Sequence, residues 1–363
     1  MKAAILGMGE WLPETIRTND AWPKDFGAQA AASAHRELAD VQVATRGDPC
    51  EAIIARHLAA EANDPFLGSK RRRIADDSIT AVESERLASI AALSDAKVDP
   101  ADIDVILSYS AVPDRPIPAS GCKVGHLLGA NKAVAIGMEV ACATIVTQLV
   151  VAAALIESGR ARTILLTGSH LGTRAFRMLH PASPSLGDAA TAVVVGASER
   201  PGILSSFAAT HGEYSDAVVW RRAKEESRWY QAGGEMFLGS CDSEKARRLV
   251  QDTVRIGAET VTEAARRSDI PLSSIAAFAC VQPRGWIPGA IAETLGLATR
   301  VAPTTFDELA HLGPCGVVTN LIEARRRGLL TSRGNGDPAV AAIYAQGAGF
   351  TRASVLLRWV ASA

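Results

Sequence analysis

The chain has 363 residues, is 48% hydrophobic and 21% charged, and carries a formal net charge of −1. This length suggests about two domains around a large core, and the near-neutral balance gives no support for a nucleic-acid or polybasic membrane binder. Six cysteines without CxxC spacing argue against a zinc site or disulfide framework and for a reducing, cytoplasmic setting. The opening MKAAILGMGEWLPE lacks a secretory pattern, and no apolar run is long enough to span a bilayer.

Short β-rich runs alternate with longer helical ones, the pattern of a layered α/β fold. The first predicted strand is 3–7. Residues 18–68 mix alanine, charge and proline and read as a mostly helical insertion or cap. Then follow helix 84–94, strand 105–109, helix 118–128, strand 133–137, helix 144–158, and strands 163–168, 190–196 and 203–210. Residues 213–239, rich in Trp, Arg and Glu, read as an irregular excursion. The remainder gives helix 241–267, strand 277–281, helices 286–295 and 316–327, and strands 340–346 and 354–360.

Residues 102–129, DIDVILSYSAVPDRPIPASGCKVGHLLG, echo residues 274–296, SIAAFACVQPRGWIPGAIAETLG. Both run strand, turn with proline and arginine, helix, Leu-Gly. A second helix follows in each half, beginning at Cys142 in the first and near His311 in the second. A duplicated α/β unit divides the chain at about residue 200, into 1–200 and 201–363. It would bring these two helix starts together across a pseudo-twofold axis. The Gly7–Gly9 triplet is not a dinucleotide fingerprint, because G-x-G-x-x-G is incomplete.

Six segments carry a resemblance. They are ILGMGEWLPETIRTND, SKRRRIADD, DPADIDVILSYSAVPDRPIPASGCKVGHLLGA, VACAT, LGDAATAVVV and GAGFTRASVLLRW. In this order they resemble the start, "RRxA", "DIDxII…PD…P", nucleophile, "FGDGAGAVVL" and "GGGFTWGAALIRW" motifs of the ketoacyl-ACP synthase III branch of the thiolase superfamily. The resemblance implies a five-layered α-β-α-β-α fold of two pseudo-symmetric halves. It also implies a homodimer acting on acyl carrier protein or CoA thioesters, with no permanently bound cofactor.

In that family a cysteine nucleophile is flanked by a histidine from "HQAN" and an asparagine from "GNTSAAS". Cys142 matches the nucleophile. The segment CVQPRGW puts Val281 at the histidine and Gln282 at the glutamine, and AHLGPCG puts His311 at the asparagine. The triad becomes Cys142, Val281 and His311. Alone, a cysteine among apolar residues reads as buried and inert; within these motifs Cys142 reads as a nucleophile whose thiol is acidified by a helix N-terminus. His311, read at a helix start, stays neutral and serves as base. The backbone N–H groups of Cys142 and Ala348 match the family's oxyanion hole.

His211 is a second candidate base, while Gln346 and Gln282 are possible additional site residues. Asp188 reads as a turn-holder, and His170 and His180 as packing residues. Arg284, Trp286 and Arg73 are candidate contacts for the pantetheine or CoA donor. Arg71, Arg72, Arg73, Arg221, Arg222 and Arg284 could form a basic rim for an acidic carrier protein. The "RRxA" segment follows NDPFLGSKR, which has no Trp in the few residues where CoA-using members often carry one.

Valine cannot donate a hydrogen bond, so a decarboxylative condensation would lose one of two enolate donors, a loss of about 10²–10³ in rate. Acyl transfer to a small-molecule or carrier acceptor needs only the oxyanion hole and one base. The sequence therefore reads first as an acyltransferase of fatty-acid- or polyketide-like specialised metabolism. The alternatives are a condensing enzyme with a rewired triad and a non-catalytic partner subunit.

Overall fold

The computed structural model describes residues 2–32, 47–176, 178–199, 202–222, 231, 236–331 and 338–359. Part of the expected insertion (33–46) and most of the centre of the expected excursion (223–230 and 232–235) lie outside these residues. The strands in chain order are β1 (Lys2–Trp11), β2 (Ile16–Thr18), β3 (Arg71–Arg73), β4 (Val105–Ser110), β5 (Val134–Gly137), β6 (Thr163–Leu171), β7 (Asp188–Ser198), β8 (Ile203–Thr210), β9 (Val219–Arg222), β10 (Met236–Gly239), β11 (Ile275–Cys280), β12 (Val340–Gln346) and β13 (Thr351–Arg358). The helices are α1 (Phe26–Ala32), α2 (Pro49–Glu61), α3 (Ala81–Ala96), α4 (Ser120–Leu128), α5 (Thr144–Glu157), α6 (Ser243–Arg266), α7 (Ile287–Thr294), α8 (Phe306–Leu309) and α9 (Cys315–Arg326).

Two mixed sheets form the frame. One is five-stranded in the order β1-β7-β6-β4-β5, the other four-stranded in the order β11-β12-β13-β8. Helix α5 has the sequence TIVTQLVVAAALIE, too apolar for one solvent-facing side. It lies with α9 between the sheets. One hydrophobic cluster joins Ile145, Leu149 and Ile156 of α5, Val317 and Leu321 of α9, Leu107 and Val193 of the first sheet, and Ile343 and Val355 of the second. The outer face of the first sheet packs Ile106 and Val194 against Ala88 and Ala92 of α3. The outer face of the second packs Phe278 and Tyr344 against Val254 of α6 and Ile291 of α7. This is the α-β-α-β-α layering that the resemblance implies.

Strand β1 runs past the expected end at residue 7. Gly7 and Gly9 do not punctuate it; they let α3 cross it closely. A Cβ at Gly9 would lie 2.3 Å from the Ala88 carbonyl oxygen, and one at Gly7 would lie 2.4 Å from the Ala96 nitrogen. The described part of the insertion includes α2. Its N-cap Asp48 accepts from the Cys50 N–H at 2.8 Å, and its Cys50 and Ile54 pack on the second sheet's outer helices. The flanks of the 213–239 excursion are not irregular throughout: β9 and β10 pair antiparallel.

Candidate active site

Cys142 lies in a short 3₁₀ turn, Ala141–Ala143, that leads from β5 into α5. Ala141 before it is held at φ +46°, a left-handed conformation that costs a non-glycine residue. Three bonds fix the turn. The Glu139 carboxylate accepts from Ala141 N–H at 2.8 Å. The Thr144 hydroxyl accepts from Val140 N–H at 3.0 Å and donates to the Ala141 carbonyl at 2.7 Å.

The sulfur lies 3.3 Å from His311 Nε2. Residues 169 positions apart, at matching places in the two half-chain motifs, thus meet as the repeat implied. His311 is held by its backbone: its N–H donates to the Ser185 carbonyl at 2.9 Å, and its carbonyl accepts from Gly187 N–H at 3.1 Å. Its Nδ1 is buried facing the Gln282 backbone without closing a hydrogen bond of ordinary geometry.

The expected helix start at His311 is corrected. Gly313, at φ +54°, and Pro314 stop regular structure, so α9 begins only at Cys315. The ring is still neutral, for another reason: burial, with a contribution from nearby His170, pushes its pKa down to about 3. The expectation of an acidified thiol is also corrected. Burial pushes Cys142 up to about 12; its own backbone N–H favours the thiolate, and the Glu139 carboxylate opposes it. At rest the pair is therefore a thiol against a neutral imidazole.

The loop before β13 closes the other side. A Cβ on Gly347 would lie 2.3 Å from the Val140 carbonyl oxygen and 3.1 Å from Cys142 N. Only glycine lets the Gly347–Ala348 backbone approach the nucleophile this closely. The adjacent Gly349 takes φ +77°.

The other candidates lie elsewhere or are already engaged. Val281 is buried in the central cluster that Cys142 packs against. Gln282 is fully buried and bonded to Thr305 Oγ1 at 2.7 Å, Thr304 Oγ1 at 3.0 Å and Asn320 Nδ2 at 3.1 Å. Its side chain therefore holds the scaffold beneath His311. Gln346 accepts from the Tyr344 hydroxyl at 2.8 Å and donates to Thr253, so its amide is not turned to the thiol. His211 pairs with Glu213 at 3.1 Å beside Phe350, at the edge of the GAG loop.

Arg284 and Trp286 both reach Glu61 of α2, each at 3.2 Å, and His57 stacks on Trp286 at 5.1 Å. The insertion thus covers the two candidate donor contacts. The basic rim is corrected at its arginine run. Arg72 is fully buried under the Trp22 ring, with its guanidinium on the Pro184 carbonyl, Ser69 and Asn19. Arg73 donates to the carbonyls of Pro13 and Glu14, and Arg71 pairs with Glu308. The side chains of Arg221 and Arg222 lie outside the described residues.

Sequence reasoning read His170 as packing. The structure puts its ring 5.8 Å from that of His311, at 60°. No group of three His, Cys, Asp or Glu side chains among the described residues could hold a metal ion, and no described helix is long and apolar enough to cross a membrane.

Comparison with known proteins points one way. The sequence profile of 3-oxoacyl-[acyl-carrier-protein (ACP)] synthase III matches residues 136–212, which include Cys142. The beta-ketoacyl-[acyl-carrier-protein] synthase III 1 of Vibrio vulnificus is 29% identical over 364 aligned positions, covering 99% of this chain and all of the relative. The crystal structure of 3-oxoacyl-[acyl-carrier-protein] synthase III from Aquifex aeolicus superposes with a TM-score of 0.76 at 23% identity, over 98% of this chain and all of the other. OleA from Xanthomonas campestris, crystallised with lauric acid and lauroyl-CoA, superposes with a TM-score of 0.75 at 16% identity, over 99% of each chain. These two likenesses carry the fold.

Proposed function

For a chain of the ketoacyl-ACP synthase III-like branch of the thiolase superfamily, we propose acyl transfer from a carrier-protein or CoA thioester through an acyl-Cys142 intermediate. The observation that carries the reading is the 3.3 Å contact between Cys142 Sγ and Nε2 of a neutral, half-buried His311. A nucleophile within reach of a base is the minimum set for covalent acyl transfer.

In the first half-reaction, Nε2 takes the thiol proton as Sγ attacks the thioester carbonyl. The Cys142 and Ala348 backbone N–H groups receive the oxyanion. The carbon–sulfur bond to the donor breaks, and the proton passes to the departing thiolate. In the second, the acceptor attacks the acyl carbon while Nε2 takes its proton. The Cys142 sulfur leaves and recovers that proton. Charge develops only during each step, so a half-buried neutral pair suits the chemistry better than a resting ion pair.

A second reading is carbon–carbon condensation, favoured by the end-to-end similarity to beta-ketoacyl-ACP synthases III. Val281 opposes it, because an apolar side chain occupies the position where the family's motif has its histidine. Incubating the acylated enzyme with a malonyl thioester and measuring CO₂ separates the two. Release at the rate of product formation favours condensation; transfer to an amine, hydroxyl or thiol without CO₂ favours acyl transfer. A purely structural role is opposed by retention of the Cys142–His311 contact and the Gly347 approach.

We also propose that two copies pair along β5. That edge strand exposes Val134 at 56% and Ile136 at 43%, apolar side chains on a sheet edge that pairs with no further strand among the described residues.

A further inference from the structure

We infer that His170 is a positioning residue: it holds the His311 ring with Nε2 turned to the Cys142 sulfur. The inference rests on the acyl-transfer reading only for its kinetic consequence, because the geometry stands without it.

His170 sits on β6, buried, with Nδ1 2.9 Å from the Gly187 carbonyl. A carbonyl only accepts, so Nδ1 carries the proton and Nε2 is the bare nitrogen. The same Gly187 donates its N–H to the His311 carbonyl at 3.1 Å. One residue therefore fixes the backbone of one histidine and the ring of the other. The turn is in turn anchored by Asp188, whose carboxylate accepts from Thr173 N–H at 2.9 Å and Ala75 N–H at 2.8 Å.

The His170 ring lies in a slot that two glycines leave open. A Cβ on Gly172 would sit 2.2 Å from His170 Cε1, and one on Gly313 would sit 2.4 Å from its Cδ2. Gly313 belongs to the turn that carries His311 toward α9, so the slot and the proposed base share one loop. Across the slot the rings meet edge-on at 5.8 Å, the tilted arrangement that aromatic rings favour.

His311 needs this support. Its Nδ1 side has no closed hydrogen bond and its Nε2 side has only a thiol. The Gln282 backbone beside Nδ1 closes no hydrogen bond of ordinary geometry, so it holds the ring less firmly than the outer partner of a functional histidine usually does. The Gly187 anchor, which the His170 Nδ1–H holds, supplies the missing restraint, and the ring edge packs beside it.

The test uses full-length protein with ¹⁵N-labelled histidine, as wild type, His170→Leu and His170→Asn. Wild type is expected to show His170 as the Nδ1–H tautomer and His311 as one neutral tautomer with Nε2 bare. His170→Leu loses the bond to Gly187. It is expected to give His311 mixed tautomers and to lower the Cys142 acylation rate about tenfold or more. His170→Asn can still donate to the Gly187 carbonyl. It is expected to keep the single tautomer and a rate within about threefold of wild type.

A folded His170→Leu protein with the wild-type His311 spectrum overturns the inference. So does equal loss in both variants with equally lowered melting temperature, which marks simple packing. If His170→Leu fails to fold, the wild-type spectrum still decides, because His170 in the Nε2–H form contradicts the proposed anchor. The spectra need no acyl donor. Failure of every donor to acylate any variant would therefore count against the acyl-transfer reading and leave the positioning result standing.

Discussion

Cys142 should be a slow nucleophile toward a small alkylating agent, with a rate that climbs steadily with pH. Burial moves the thiol from an ordinary value of 9.0 to about 12. That is a thiolate penalty of about 4 kcal/mol. At pH 7 the thiolate fraction is then about 10⁻⁵, against about 10⁻² for an ordinary thiol, or roughly a thousandfold less. His311, held down to about 3, does not change charge between pH 5 and pH 10 and supplies no resting positive charge.

The assay is peptide-resolved mass spectrometry of iodoacetamide labelling from pH 6 to pH 10. The exposed thiols Cys122 and Cys241 serve as references within the same molecule. Cys142 labelling should lag both at pH 7 and rise by about tenfold per pH unit up to pH 10. A plateau between pH 6 and pH 8, with Cys142 labelled faster than the references, would mean a resting thiolate–imidazolium pair and would refute the neutral-pair mechanism.

Three further outcomes are expected. Glu85 is fully buried, bonded to Ser120 and Ser169 at 2.8 Å each, and pushed by desolvation to about 8. Its folded value lies above its unfolded one, so its contribution is fully present below about pH 4.5 and lost as pH rises through 8. Glu85→Gln should thus match wild type at pH 4.5 and exceed it at pH 8.5 by up to about 5 kcal/mol, read from urea midpoints; a difference that does not change with pH would contradict this. Gly347→Ala, which drives a Cβ toward the Val140 carbonyl and the Cys142 amide, should slow Cys142 acylation by about 10²-fold, and an unchanged single-turnover rate would show that the loop does not shape the site. Ile136→Lys, on the exposed edge of β5, should shift sedimentation toward monomer, while a wild-type sedimentation profile would sink the proposed pairing.

Much of the fold is legible in the sequence because layered α/β chains alternate periodicities. The apolar run of α5 and the alternation of the sheet strands lie within a few residues of where pattern reading puts them. Gly7 and Gly9 mislead because glycine signals both a break and a close crossing, and only the position of α3 distinguishes the two. The Cys142–His311 pair is legible through the repeat and the family motifs. The electrostatics are not, because desolvation depends on layers of distant sequence. A thiol at a helix start looks acidified until the second sheet covers it.

Arg72 shows the same limit: three arginines in a row look like a charged surface, yet the middle one faces inward from β3 beneath Trp22. His170 escapes for a different reason. The slot for its ring is left by Gly172 and Gly313, whose absence of a side chain is the signal, and its anchor is a backbone carbonyl of Gly187; nothing in a linear reading ties them to one ring.

The most direct test of the central claim is intact-protein mass spectrometry after incubation with acyl-CoA and acyl carrier protein donors. Wild type is run beside Cys142→Ala and His311→Ala. An added acyl mass is expected on wild type, none on Cys142→Ala, and acylation slowed by about 10²-fold or more in His311→Ala. No adduct on folded wild-type protein from any donor, or an adduct that persists in Cys142→Ala, would contradict it.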